Sequence, residues 1–497
     1  MPASLIRACR WIGLAAALLL AVMLVNAWRV SAPVVEVHSY RPALDTTAMA
    51  QRLAAALAMP TPSATPEQPS LDRFLALHAL LQTQFPRVHA ELDRERVGGA
   101  SLLYRWPGRR DCPALLLAAH QDVVPVEPGT ESAWRHPPFA GVVADGAVWG
   151  RGAVDDKSSL MAILEAVEWL LARNVRPDCD VWLAFGHDEE VSGLQGAQAM
   201  AALLEARGVV LDFVLDEGGA IAIGAIPGTT KPLATIGVAE KGYVSLRLLA
   251  RDGGGHSSMP PRRTAIGRLA RAVARLEEHR PGADFSPVQR ELLRRIAAHV
   301  DPLQRVVLSN LWLTAPLVER LLSATPASDA TLRTTTAPTL FHAGVKDNVL
   351  AQRAEAVVNY RLRVGDSIDG VLAHVRATID DDDIAIEVLD GFRSEPSAVS
   401  SWDDPVFARI EAAVRSVSPE PDLVVAPYVT SGGTDARHYA TLTPRIYRFL
   451  PVRMTPEMLA SFHGTDERIP IAEYERMVRF YLRLLAPAAE TTVQRQS

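Results

Sequence analysis

Three acidic clusters close three apolar runs. His120-Gln121-Asp122 follows Ala114 to Ala119, Asp188-Glu189-Glu190 follows Val181 to Phe185, and Asp216-Glu217-Gly218-Gly219 follows Leu211 to Leu215. A fourth carboxylate pair, Asp155-Asp156, lies in Gly150-Arg151-Gly152-Ala153-Val154-Asp155-Asp156-Lys157, whose glycines let the backbone fold tightly ahead of a helix. A second exposed histidine stands far downstream in Phe462-His463-Gly464-Thr465-Asp466-Glu467-Arg468. One such cluster is explained as well by polar residues marking where a strand leaves the core; three at successive strand ends are not. Carboxylates crowded in this way repel by several kcal/mol unless protonated or neutralised by cations. Only three cysteines (Cys9, Cys112, Cys179) are present, which excludes a disulfide scaffold or a thiolate zinc module, while thirteen histidines leave nitrogen and oxygen metal chemistry open.

Placing these groups requires a particular sheet. The apolar runs are separated by helical stretches (Ser158 to Ala172, Gly196 to Arg207), the pattern of a largely parallel sheet covered on both faces, and Val142 to Trp149 reads as a hairpin with an Asp145-Gly146 turn. In an open α/β sheet ligands bind outside the carboxyl ends of the strands, so the clusters converge on one pocket. After Ile236 the texture changes to half-exposed strands and two helices, a small α+β unit interrupted by a helical stretch at 284–325; helix and strand alternate again from Pro405. The fold class is α/β: a mixed, largely parallel sheet sandwiched by helices, with an inserted four-stranded α+β lid or dimerisation domain. The expected boundaries are 1–29 anchor or signal peptide, 30–45 stalk, 46–236 with 394–490 catalytic domain, and 237–393 inserted domain. Cys112 and Cys179 each precede a strand end by eight residues, at the opposite edge of the sheet from the clusters, so a disulfide is within reach if those strands are neighbours.

The bulk composition is that of a globular chain: 497 residues, 48% hydrophobic, 22% charged, net charge −6. That acidic balance excludes a nucleic-acid partner. The first thirty residues depart from it. Arg7 and Arg10 precede an uncharged run from Trp11 to Val25; a helix to Trp28 spans about 27 Å, close to the roughly 30 Å hydrocarbon core, with a Trp at each end. This is a membrane anchor or, since Val25-Asn26-Ala27 resembles a cleavage site, a signal peptide; either address places the rest outside the cytoplasm, anchored or secreted.

His120-x-Asp122-Val-Val-Pro125, Gly150-Arg-Gly-Ala-x-Asp155-Asp-Lys157, Asp188-Glu189-Glu190, Asp216-Glu217-Gly-Gly, Gly254-Gly-His256-Ser-Ser-Met-Pro260, Gly432-Gly-Thr-Asp435-Ala-Arg437 and Phe462-His463-Gly-x-Asp-Glu-Arg468 together resemble the co-catalytic zinc peptidases that include carboxypeptidase S, aminoacylase, acetylornithine deacetylase and succinyl-diaminopimelate desuccinylase. The resemblance covers about residues 48–486 and is nearest the carboxypeptidase S and N-acyl-amino-acid hydrolase branch. One departure is Asn348-Val-Leu-Ala351, where the family pattern has Pro after Leu350.

The resemblance implies two zinc ions, with Co or Mn as substitutes: His120, Asp155 and Asp216 on one, Asp155, Glu190 and His463 on the other, Asp155 bridging. Glu217 is the alternative to Asp216. Two Zn²⁺ against three carboxylates leave +1, which a hydroxide cancels, so such a buried site is neutral. Glu189 and Glu190, adjacent on an extended strand end, face opposite sides, so that one binds metal while the other, Glu189, takes the water's proton. Asp122 holds the second N–H of the His120 imidazole. His256 donates to the oxyanion when the domains close or in a partner subunit's site, and Arg361, Asn348, Gly432 and Gly433 contact substrate. The implied activity is hydrolysis of a peptide or N-acyl amide bond beside a free carboxylate, on a small peptide or N-acyl amino acid, with a homodimer formed through the inserted domain. Deacetylation or desuccinylation of amino acids, or peptide capture without catalysis, are the alternatives.

Overall fold

The structure, a computed structural model, describes residues 3–30, 39–65, 71–225, 231–418, 420 and 422–486. Most of the expected stalk (31–38), Pro66, Pro69 and the last expected domain residues (487–490) lie outside the described residues. Two compact units are formed, one from 32–238, 399–428 and 434–497, the other from 1–31, 239–398 and 429–433.

The larger unit is built on a mixed sheet. Its centre is parallel: Ala114–His120 lies between Val181–Gly186 and Leu211–Asp216, and Ile446–Arg448 extends the parallel set beyond Leu211–Asp216. These strands are almost wholly buried because helices cover both faces, which is why they read as unbroken apolar runs. Antiparallel strands flank them, Ser101–Trp106 with Asp93–Val97 on one side and Leu233–Glu240 on the other. Helix Lys157–Leu171 is buried on nearly every face, packed against Ala114–His120, Thr46–Leu57 and Ile471–Leu485. Its Glu165 accepts both arms of Arg52 at 2.6 and 2.7 Å, the paired state a buried carboxylate requires. At the opposite edge from the acidic clusters, Cys112 and Cys179 are joined in a disulfide, while Cys9 is free.

The smaller unit holds a four-stranded antiparallel sheet in the order Thr335–Ala343, Arg353–Leu362, Gly242–Arg251, Ile384–Val388. Helices Ala265–Glu278 and Ile368–Ile379 cover it, contributing Leu269, Ala272, Leu276, Val371, Val375 and Ile379 to a core with Val244, Leu246, Val358 and Tyr360. Thr264 and Ser367 cap these helices by accepting from Gly267 and Gly370 backbone N–H groups. The strand Thr335–Ala343 does not announce itself in the sequence, being Thr-rich and broken by Pro338. It is an edge strand with a register shift between Pro338 and Leu340, where a missing N–H costs no ladder bond. The stretch from 284 to 325 folds as helices Pro287–Ala297, Pro302–Leu308 and Leu311–Leu322 around a satellite core of Phe285, Leu293, Val318 and Leu332.

Candidate active site

His120 is the last residue of its strand and is fully buried. Its Nε2 lies 2.8 Å from Asp155 Oδ1; its Nδ1 lies 2.9 Å from the Asp122 carbonyl and 3.4 Å from Asp122 Oδ1. The other oxygen of Asp155 stands 2.7 Å from His463 Nε2, so one carboxylate spans two imidazoles. Glu190 Oε2 is 3.8 Å from His463 Nε2, and Glu217 Oε1 is 3.4 Å from His120 Nε2. Donor atoms of His120, Asp155 and Glu190 lie within 4.8 Å of one another, as do those of His120, Asp156 and Glu217. The donor chemistry fits divalent cations: two imidazoles and several carboxylates, no thiolate, with both oxygens of buried Asp156 lacking a hydrogen-bond partner.

The structure bears on two expectations. Asp216 is not among the residues grouped around His120: its Oδ1 accepts from Glu217 N–H at 2.9 Å and its Oδ2 from Ala436 N–H at 2.7 Å. One residue on, the chain faces the other way and Glu217 takes the place beside His120. Glu189 and Glu190 are also not on an extended strand end; Glu189–Val191 forms a 3-10 turn. The Asp122 carboxylate accepts the backbone N–H of both, each at 3.2 Å. Asp122 thus touches the histidine and also fixes the turn that carries the two glutamates.

The electrostatics are those of a crowded acidic site. Burial, with neighbouring negative charge, pushes Glu189, Glu190, Glu217 and Asp156 well above the ordinary carboxyl range. Burial opposes ionisation of Asp155 too, but hydrogen bonds from His120 and His463 overcome it and hold that carboxyl low. His120 is driven the other way: burial disfavours its cation, and Asp122, Asp155 and Glu217 outweigh burial and raise it. Burial lowers Lys157 to about 7; its ammonium donates to the carbonyls of Ala56 and Met59.

A buried pair missed in sequence holds this arrangement together. Arg151 and Glu467, both essentially without solvent exposure, meet at 2.6 Å. Glu467 also accepts the N–H groups of Gly152, Val154 and Asp155 at 3.1, 2.8 and 3.2 Å, while Arg151 donates to the carbonyls of His463 and Gly464 at 3.1 and 3.0 Å. Asp155 and His463 are therefore tied to one ion pair. Both partners sit inside the motifs named above, yet nothing local signals a partner at a separation of 316 residues. Gly152 is required here: at φ 88°, a Cβ would lie 2.7 Å from Val123 Cγ1. Asp435 is fitted in the same way, since a Cβ on Gly193 would fall 2.2 Å from its Oδ1.

Residues 116–486 match the profile of Peptidase family M20/M25/M40. The chain belongs to this family. As an M20-family hydrolase it is 40% identical over 452 residues to probable carboxypeptidase S-like 2 of Dictyostelium discoideum, covering 89% of this chain and 85% of that protein. It is 40% identical over 444 residues to the N-fatty-acyl-amino acid synthase/hydrolase PM20D1 of Bos taurus, covering 88% of this chain and 87% of that one. Among solved structures, an M20 family metallo-carboxypeptidase from Sulfolobus solfataricus superposes with TM-score 0.66 at 19% identity, over 88% of this chain and 98% of its own, and shares the fold.

The remaining candidate residues of this M20 hydrolase lie in the smaller unit. His256 is exposed on a two-residue ladder, Gly255–His256 paired with Val349–Leu350, and Asn348 accepts from Ser257 N–H at 3.2 Å. The ladder brings Asn348 beside His256 even though Ala351 replaces the family's proline. Ser258 N–H donates to His256 Nδ1 at 3.2 Å, which leaves the neutral ring's proton on Nε2. Arg361 pairs with Tyr243 across the sheet and stacks its guanidinium 4.6 Å from that ring's centre. Gly432 and Gly433 follow the strand Val424–Thr430, with nothing within 4 Å of a Cβ placed on Gly432. Cys9–Arg29, in the N-terminal helix Ala3–Arg29, is long and apolar enough to cross a membrane.

Proposed function

We propose that this M20 hydrolase is a two-zinc amidohydrolase cleaving a peptide or N-acyl amide bond beside a free carboxylate. The observation that carries the reading is Asp155, whose two oxygens each face a different imidazole, the disposition of a carboxylate shared between two cation sites. His120, Asp155 and Glu217 would hold one ion, and Asp155, Glu190 and His463 the other, with Co or Mn as substitutes. Bound ions of this kind polarise a carbonyl and acidify water. Glu189, its backbone N–H held by Asp122 beside the cluster, takes a proton from the attacking water and returns it to the leaving nitrogen. Asp122 keeps Glu189 and Glu190 in their separate orientations through its two backbone bonds. His256, with its proton on Nε2, serves as the oxyanion donor, and Arg361, Asn348, Gly432 and Gly433 serve the substrate, Arg361 through its carboxylate.

The named activities of the relatives in Dictyostelium discoideum and Bos taurus support two substrate classes, C-terminal peptides and fatty N-acyl amino acids. The N-terminal helix supports a membrane-anchored, extracytoplasmic protein or, if cleaved, a secreted one; a homodimer through the inserted unit is part of the same proposal. A hydrolysis screen of dipeptides and N-acyl amino acids, with chelator and after zinc restoration, tests the reading. Chelator-sensitive cleavage restored by about two zinc equivalents is expected; cleavage indifferent to chelator overturns it.

A further inference from the structure

The N-terminal helix and the helical stretch around residue 310 belong to the same unit, and polar bonds join them. Asn26 Nδ2 donates to Asn310 Oδ1 at 2.9 Å, and Asn310 Nδ2 donates to the Met23 carbonyl at 3.1 Å. Asn310 is fully buried, and Trp312 Nε1 donates to its Oδ1 at 3.1 Å. These bonds pin the start of helix Leu311–Leu322 to the last turns of the candidate membrane helix.

From that junction the helix faces two ways. Val318 turns inward onto Phe285, Leu293 and Leu332. Outward it presents Trp312 (59% exposed), Leu313, Pro316, Leu317 and Leu321, interrupted only by Arg320, and the preceding helix adds Leu303 at 74% exposed. Positions 312/313, 316/317 and 321 share one helix face, which on a solvated helix would be polar. The surroundings are basic. From 287 to 322 five arginines stand against three acidic residues, and Arg29, Arg290 and Arg294 line a cavity of about 360 Å³ with Asn26 and Trp312. Arg294 is paired with Glu291, but the excess positive charge remains.

We propose that helix Leu311–Leu322, with Leu303, is a second membrane-contacting element, an interfacial helix that seats its apolar stripe in an anionic bilayer beside the N-terminal helix. This rests on reading the N-terminal helix as an anchor. Its stripe reaches the acyl boundary, Trp312 and Trp28 lie at headgroup depth, and the arginines meet lipid phosphates. Continuity with the anchor and the basic rim favour lipid over a second copy of the chain.

The test uses the full chain with Cys9→Ser, reconstituted in phosphatidylglycerol–phosphatidylcholine vesicles and labelled with an environment-sensitive fluorophore at Leu317→Cys. Val345→Cys, 95% exposed in the same unit, is the aqueous control, and Leu18→Cys reports on the anchor. Expected at 317 is blue-shifted emission, quenched several-fold more strongly by shallow lipid-borne quenchers than at 345. Emission at 317 matching that at 345 overturns the proposal, as does blue-shifted emission blind to lipid quenchers, which means a protein surface covers the stripe. Position 18 judges the anchor separately: deep quenching there with an aqueous 317 sinks only the interfacial helix. As a measurement free of labelling, quenching of tryptophan by brominated lipid should fall in Trp312→Phe; an unchanged value counts against the proposal.

Discussion

The two units carry their chemistry in opposite ways. In the larger one, His120, Asp155, Asp156 and Glu217 are buried or nearly so, His463 is the more exposed member, and the contacts that orient them are buried or part-buried: Asp122 on the glutamate turn, Arg151 with Glu467 behind Asp155 and His463. In the smaller one His256 stands exposed on a ladder of two residue pairs, its ring oriented by Ser258 alone. A site meant to gather charge from solvent-poor surroundings must be fixed by the core, because buried charges left without partners cost several kcal/mol each. In the proposed function His256 donates one hydrogen bond, for which reach suffices. Damage to the first should therefore spread to stability and metal content, whereas damage to the second should stay in turnover.

Four measurements sharpen or break that contrast. The largest effect is expected for Glu189→Gln, which should lower kcat by about 10³-fold or more while elemental analysis finds the metal content unchanged; loss of metal in this variant would move Glu189 into the binding set. Next, Glu467→Gln leaves a buried guanidinium without its counter-charge and should cost about 3–5 kcal/mol in denaturant unfolding, with metal lost in parallel. Wild-type stability there would mean that the site is not fixed from beneath. His256→Ala should reduce kcat by about 10²-fold, as removal of an oxyanion donor does, with melting temperature and metal content unmoved. A fall in melting temperature would erase the distinction between the units.

The smallest effect belongs to a charge buried in the smaller unit itself. Burial, with Arg361 nearby, lowers Lys241 to about 8, while its ammonium donates to the carbonyls of Ala330 and Arg333 at 2.8 Å each. Between about pH 8 and the unfolded value near 10.5 the unfolded chain binds more protons at this site than the folded one. This group's contribution to stability therefore rises with pH across that window, by at most about 1.4 kcal/mol per unit. Lys241→Met should remove that slope; urea midpoints for both proteins from pH 8 to 10 that run parallel would contradict it.

The placement of strand ends is legible in the sequence because parallel buried strands are unbroken apolar runs, and the residues just beyond them must be polar. His120 and Glu190, at two such ends, come together with Asp155 and with His463, which the family resemblance alone places in the site. Sidedness at a single residue is harder: Asp216 and Glu217 both offer a carboxylate, and the Asp216 oxygens meet the backbone N–H groups of Glu217 and Ala436, the second contributed from far along the chain. The same holds for Glu189 and Glu190, where a turn replaced the extended geometry that simple alternation assumes. The edge strand at 335–343 escaped because its stability comes from pairing with Arg353–Leu362, not from its own residues.

The bond between His463 and Asp155 joins residues 308 apart. During synthesis the strand ends that carry His120, Glu190 and Glu217 are made well before the second imidazole and Glu467. A nascent chain that stops short of residue 463 thus lacks one imidazole of the donor set and the Glu467 carboxylate that holds the Asp155 backbone, so the cluster closes only after both have been made. The order of synthesis therefore separates formation of the parallel sheet from closure of the donor cluster.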